Sequence, residues 1–118
     1  MLIADDEENI VVSLEFLMKQ AGYEVRSAVD GDDALRQIAS FAPDLVLLDV
    51  MLPLRDGFDV CRHIRNDPGM RSTKIVMVTA KGRQAEVSKG LSLGADLYVT
   101  KPFATRELVA QVRELLGE

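Results

Sequence analysis

The sequence predicts an α/β fold in which a central parallel sheet carries helices on both faces. Three observations predict it. Short apolar runs alternate with helical periodicity from one end of the chain to the other. The middle runs, Leu45-Val46-Leu47-Leu48 and Ile75-Val76-Met77-Val78, lack polar alternation, as strands covered on both faces require. Finally, 118 residues hold five such βα units in one domain, 1–118, and a second core would leave each half too short to fold alone.

Taken in order, strands are expected at residues 1–4, 24–28, 44–48, 74–78 and 96–99. The first helix carries Ile10, Leu14, Leu17, Met18 and Ala21 on one stripe, and Gly22 follows as its stop. The second starts at an Asp30 cap, buries Ala34, Leu35 and Ile38, and ends before Pro43. From about Gly57 the third buries Val60, Cys61 and Ile64 and stops at Asp67-Pro68-Gly69. A fourth, residues 85–93, has the weakest stripe and ends at Gly94. The last buries Leu108, Val112, Leu115 and Leu116, with Ala104 where a capping serine would serve better and Thr105 as the other candidate cap.

Composition narrows the function classes. A chain that is 47% hydrophobic and 28% charged is globular, not disordered or fibrous. Nineteen acidic against fourteen basic residues give a net charge of −5, the wrong sign for a domain that coats nucleic acid or anionic lipid. The single cysteine, Cys61, and single histidine, His63, remove internal disulfides and most zinc patterns. No apolar run approaches the roughly 20 residues of a membrane helix, and the opening MLIADDEEN has acid where a secretory signal has base. A cytoplasmic protein is expected, without direct contact to nucleic acid or membrane.

In an open parallel sheet, ligands bind beyond the carboxyl ends of the strands. Asp5 and Asp6 stand there after strand 1, Asp49 after strand 3, Thr79 after strand 4, and Lys101-Pro102 after strand 5. At ~4 Å and an effective dielectric near 20, each like-charged pair in such a cluster costs about 4 kcal/mol, so a positive partner is needed. A hard divalent cation with oxygen ligands, Mg²⁺, fits the acids, and Lys101 adds a fixed charge. A metal, an ammonium and a hydroxyl around one carboxylate can hold a phosphoryl group, whose transfer needs positioning and charge neutralisation above all. Asp49 is then the nucleophile, forming an acyl phosphate, with backbone N–H groups of the following loop completing the cradle.

At these residues the sequence resembles the receiver (phosphoacceptor) domain of two-component response regulators. The segments that carry the resemblance are Ala4-Asp5-Asp6-Glu7, Leu47 to Pro53 with Asp56-Gly57, Val78-Thr79-Ala80, and Gly94 to Phe103. Thr79 follows Asp49 by 30 positions and Lys101 follows Thr79 by 22, a family-like spacing. The resemblance implies a flavodoxin-like, doubly wound five-stranded sheet of order 2-1-3-4-5 with five helices. It implies that Asp49 takes the phosphoryl group from a sensor histidine kinase or histidine phosphotransfer protein, and that Asp6, Asp49 and the Met51 carbonyl bind Mg²⁺ directly, with Asp5 helping through water. Thr79 and Lys101 would contact the phosphoryl oxygens, and the Lys101-Pro102 bond would be cis. Thr79 and Tyr98 form the implied switch, which acts on an output face made of helix 4, strand 5 and helix 5. The chemistry is autocatalytic and single-turnover, so the protein is not expected to be an enzyme.

Departures from the family pattern shape further expectations. Strand 1 has fewer residues before the acidic pair than is usual, so the chain is expected to begin late in that strand. Leu97 and Gln111 stand where a homodimer through the output face would use charges, leaving Lys89 and Glu107 to pair. Met51 and Lys81, two residues beyond Asp49 and Thr79, flank the water route, and apolar Met51 is expected to slow hydrolysis. Val12 and Phe16 lie opposite the buried stripe of the first helix, either incidentally exposed or as a docking patch for the phosphodonor. A receiver-like interaction module that works without phosphorylation is the alternative, disfavoured by the complete set Asp5, Asp6, Asp49, Thr79 and Lys101. A phosphatase or flavin carrier of similar architecture fits less well. The former wants its nucleophile on strand 1 and an acid two residues on, the latter a Ser/Thr-rich phosphate loop.

Overall fold

Uninterrupted β-forming apolar runs cannot be solvated on either face, and the computed structural model, which describes residues 1–80 and 82–118, puts them in the middle of one parallel sheet. In chain order the elements are β1 (Leu2–Ala4), α1 (Glu8–Gln20), β2 (Arg26–Ala28), α2 (Gly31–Phe41), β3 (Leu45–Leu48), α3 (Gly57–Asn66), β4 (Lys74–Thr79), α4 (Gln84–Ser92), β5 (Leu97–Thr100) and α5 (Thr105–Leu115). The strand order is β2-β1-β3-β4-β5, as expected for a flavodoxin-like sheet.

Side chains alternate across a strand, so the two faces of the sheet build two cores. Leu2, Ala4, Val46, Leu48, Ile75 and Met77 meet Ala34 and Ile38 of α2 and Val60, Cys61 and Ile64 of α3. Ile3, Leu45, Leu47, Val76 and Val78 meet Val11, Leu14 and Met18 of α1 and Leu108 and Val112 of α5. Both partners of each alternation are apolar, which is why the sequence shows none.

α4 departs from this pattern. Gly90 is its one buried residue, and a Cβ there would come within 2.9 Å of both Met77 Sδ and Tyr98 Cδ2. The helix therefore rests its backbone on the sheet, which explains its weak apolar stripe. Its C-terminal turn is held instead by Arg65 of α3, whose guanidinium donates to the carbonyls of Gly94 (2.8 Å), Arg71 (3.0 Å) and Thr73 (2.7 Å) and pairs with Asp96 (2.9 Å).

Several expectations shift: β3, β5 and α4 move by one residue, and Leu35, Leu115 and Leu116, expected buried, pack partly buried at the margins of the two cores. β2 begins at Arg26 because its only neighbour in the sheet is β1, and the pairing starts at Leu2↔Arg26. On α1 the fully buried stripe is Val11, Leu14 and Met18, while Ile10 and Leu17 pack at the margin of that core. Helix starts follow the sequence more closely: Asp30 accepts from the Asp33 N–H at 2.7 Å and Asp56 from the Asp59 N–H at 2.9 Å. No helix of the described residues is long and apolar enough to cross a membrane.

Ala104, the N-cap of α5, makes no side-chain cap bond. Ala104→Ser adds an acceptor for an unpaired N–H of the first turn and is expected to raise unfolding free energy by about 1 kcal/mol, read as a higher urea midpoint at unchanged slope.

Candidate functional site

In a parallel sheet every strand ends on the same edge, so the residues that follow β1, β3, β4 and β5 converge. Backbone bonds extend the ladder past the strand ends and fix these residues: Asp5 N–H to Ala28 O (3.1 Å), Asp49 N–H to Ala4 O (2.9 Å) and Lys101 N–H to Thr79 O (2.8 Å). Asp5 and Asp49 are 2% and 3% exposed, whereas Asp6 lies at the surface. One carboxylate oxygen of each of the three lies within 4.8 Å of the others.

Two buried carboxylates this close repel unless a cation stands between them. Lys101 does so. Its Nζ donates to Asp5 Oδ2 at 2.9 Å and to Asp49 Oδ2 at 3.3 Å, and a third carboxylate, Glu7, accepts at 3.3 Å. The remaining oxygens are fixed by matching turns: Asp5 Oδ1 accepts from the Glu7 N–H (2.9 Å) and Asp49 Oδ1 from the Met51 N–H (3.1 Å). Each aspartate is thus held at one oxygen by backbone and at the other by the ammonium.

Burial is the main force on the Asp5 carboxyl and pushes its pKa up; the Glu7 N–H and Lys101 oppose it, and the Asp49 charge adds to it. Burial alone would lower Lys101, but its bonds to Asp5 and Asp49 and their charges outweigh this and raise it, keeping the ammonium charged. The donor set for a cation is three hard carboxylate oxygens, a good match for Mg²⁺ and a poor one for softer metals.

The other expected residues lie close by. Thr79 is fully buried at the end of β4, in register with Thr100. Tyr98, in register with Met77, is partly buried against Gly90, and burial followed by the charges of Glu86 and Asp49 pushes its phenol up. The Lys101-Pro102 bond is cis. Met51 is 55% exposed beside Asp49. Lys81, the other residue expected on the water route, lies outside the described residues.

Two features go beyond the expected site residues. Glu7 belongs in the sequence to the segment Ala4-Asp5-Asp6-Glu7, and a glutamate at a helix N-cap is a visible irregularity. The loop after Asp49 is fastened to α2: Gly31 N–H donates to Pro53 O (3.1 Å), Arg55 pairs with Asp32 (2.7 Å), and a Cβ on Gly31 would lie 2.0 Å from Arg55 O. No local pattern announces that contact.

The raised Asp5 value has a thermodynamic sign. A carboxyl whose folded-state pKa exceeds the unfolded one favours folding where it is protonated; that contribution is complete below the ordinary aspartate range and is lost as pH rises through the shifted value. At neutral pH without a divalent cation, Asp5 therefore costs stability. Asp5→Asn is expected to raise the thermal midpoint by a few degrees at pH 7 in EDTA and to flatten its pH dependence, checked by melts from pH 7 down to pH 4.

Comparison with known proteins points the same way. A family model of the response regulator receiver domain matches residues 1–113. A protein assigned as a response regulator from Chloroflexus aurantiacus J-10-fl superposes with a TM-score of 0.94 at 39% identity, over 99% of this chain and 96% of that one. The BeF3-activated DrrB receiver domain gives 0.90 at 34% identity, covering 99% and 96%. The chemotaxis protein CheY4 of Vibrio cholerae gives 0.89 at 28%, covering 97% and 95%. With the sheet order, the acid-lined edge and the family match in agreement, the chain belongs to the response regulator receiver domain family.

Proposed function

We propose that residues 1–118 form one receiver domain that accepts a phosphoryl group on Asp49 and relays that event to an output. The observation that carries this reading is the Lys101 ammonium lodged between the buried Asp5 and Asp49, with an Asp6 carboxylate oxygen within 4.8 Å of one from each. Receiver domains are in general phosphoacceptors that bind Mg²⁺ at an acidic pocket and work with histidine kinases or phosphotransfer proteins. A neighbour described as BeF3-activated fits as well, since BeF3 is a general stand-in for a phosphoryl group.

On this reading Asp49 Oδ2 is the nucleophile. An Asp49 oxygen forms a bond to phosphorus as the bond from phosphorus to the donor nitrogen of a phosphohistidine breaks, and the electron pair leaves with the imidazole. Asp5, Asp6, Asp49 and the Met51 carbonyl would hold Mg²⁺, which supplies neutralisation of the charge gathered at the phosphoryl oxygens. Lys101 gives up its bond to Asp49 Oδ2 and donates to a phosphoryl oxygen, and the Thr79 hydroxyl donates to another. The Met51 N–H, already on Asp49 Oδ1, orients the carboxylate. Thr79 moving toward the phosphoryl group and Tyr98 turning further inward shift the population of α4, β5 and α5 conformations. That face is the proposed output surface and the proposed site of any homodimer. In the isolated chain Lys89 lies over the Phe58 ring at 4.4 Å, so pairing with a partner's glutamate would have to release it. The phosphodonor protein is a sensor histidine kinase or histidine phosphotransfer protein, docking beside the exposed Val12 and Phe16 of α1. The domain works in the cytoplasm, without binding nucleic acid itself, and turns over no substrate.

Incubation with phosphoramidate and Mg²⁺ followed by intact mass is expected to show one added phosphoryl group on the wild type and none on Asp49→Asn. Addition to neither would favour an interaction module that works without phosphorylation, and steady phosphate release from a generic ester would favour an enzyme. Half-exposed Met51 shields the Asp49 edge from water, so Met51→Asn is expected to shorten the phosphorylated lifetime severalfold, followed as loss of the added mass over time; an equal or longer lifetime refutes the shielding.

A further inference from the structure

An ammonium has three N–H donors, and Lys101 spends all three on carboxylates: Asp5 at 2.9 Å, Asp49 at 3.3 Å and Glu7 at 3.3 Å. The third partner is out of place by local rules. Glu7 is the N-cap of α1, a position that favours short side chains able to accept from the first turn, yet it makes no side-chain cap bond. Its main chain is fixed, with its N–H on Asp5 Oδ1 at 2.9 Å and its carbonyl accepting from Ile10 and Val11 at 3.0 Å each. Its side chain, 60% exposed, turns to Lys101 instead of its own helix. A local preference set aside at the rim of a site marks a residue placed for the site.

We propose that Glu7 is a positioning residue that holds the Lys101 ammonium at the mouth of the pocket and sets how readily it is released to an incoming phosphoryl group. This rests on the phosphoacceptor reading. When acetyl phosphate is the donor, an Asp49 oxygen bonds to phosphorus while the bond from phosphorus to the acetyl oxygen breaks and its electron pair leaves with acetate. The Lys101 donor that Asp49 Oδ2 held then turns to a phosphoryl oxygen, and how freely the ammonium moves to do so depends on the two partners that remain, Asp5 and Glu7. Asp5 is buried and oriented by backbone, whereas Glu7 stands half in water, so Glu7 is the partner whose loss water best compensates. Its charge also faces the path of an anionic donor.

Two variants separate position from charge. Glu7→Ala removes both, while Glu7→Asp keeps the charge but is one methylene too short for the contact. At saturating Mg²⁺, Glu7→Ala is expected to be phosphorylated by acetyl phosphate about threefold faster than wild type, the scale of a half-exposed ion pair, with Glu7→Asp closer to Glu7→Ala than to wild type. Independently of phosphorylation, acetic anhydride labelling of Lys101 relative to Lys19, read by peptide mass spectrometry, is expected to rise in both variants. Unchanged labelling of Lys101 in Glu7→Ala overturns the proposal, as does a Glu7→Asp rate equal to wild type. A wild type that takes up phosphate beside variants of identical rate overturns this proposal alone; a wild type that takes up none overturns the phosphoacceptor reading, and this proposal with it.

Discussion

Everything at the carboxyl edge of this sheet follows from one buried ammonium. Asp5 and Asp49 are almost wholly removed from water, and at such separations two like charges repel by about 4 kcal/mol even in a moderately polarisable surrounding. Lys101 offsets this by bonding both, and its backbone is fixed to β4 through Thr79 O. A neutral side chain at 101 would leave two buried carboxylates facing each other, an arrangement that proteins avoid by protonating one of them. The lysine thus sets a positive charge against both acids at the edge where three carboxylate oxygens come together.

The supporting architecture is arranged around that need. Parallel strands bring distant segments to one edge, and the ladder bonds that run past β1, β3 and β5 place the aspartates and the lysine by backbone, not by flexible side chains. The matching turns at Asp5–Glu7 and Asp49–Met51 then fix the carboxylate planes. Because the loop after Asp49 is also fastened to α2 through Gly31 and Arg55, Asp49 is held from three directions. Such preorganisation suits phosphoryl transfer, in which the protein contributes position and field.

The sheet and most of the site could be read from the chain because their causes are local. Leu45 to Leu48 and Ile75 to Val78 declare buried central strands by composition alone, and Asp5, Asp49 and Lys101 are visible once the strand ends are placed. What escaped reading depends on tertiary approach. Whether Ile10 or Val11 faces the core is a rotation of less than a third of a turn, decided by how α1 seats beside α5. The Gly31–Arg55 contact joins the first residue of α2 to a loop 24 residues on, and Glu7 reaches a lysine 94 residues away. No periodicity encodes either.

The seating of α4 has its own consequence. An element anchored by the absence of a side chain, with Gly90 against sulphur and ring, has almost no apolar surface holding it down, while Arg65 clamps the turn at its tail. Mechanically it is a lever with a fixed heel and a light toe. The smallest of the residues sets the height at which it rides.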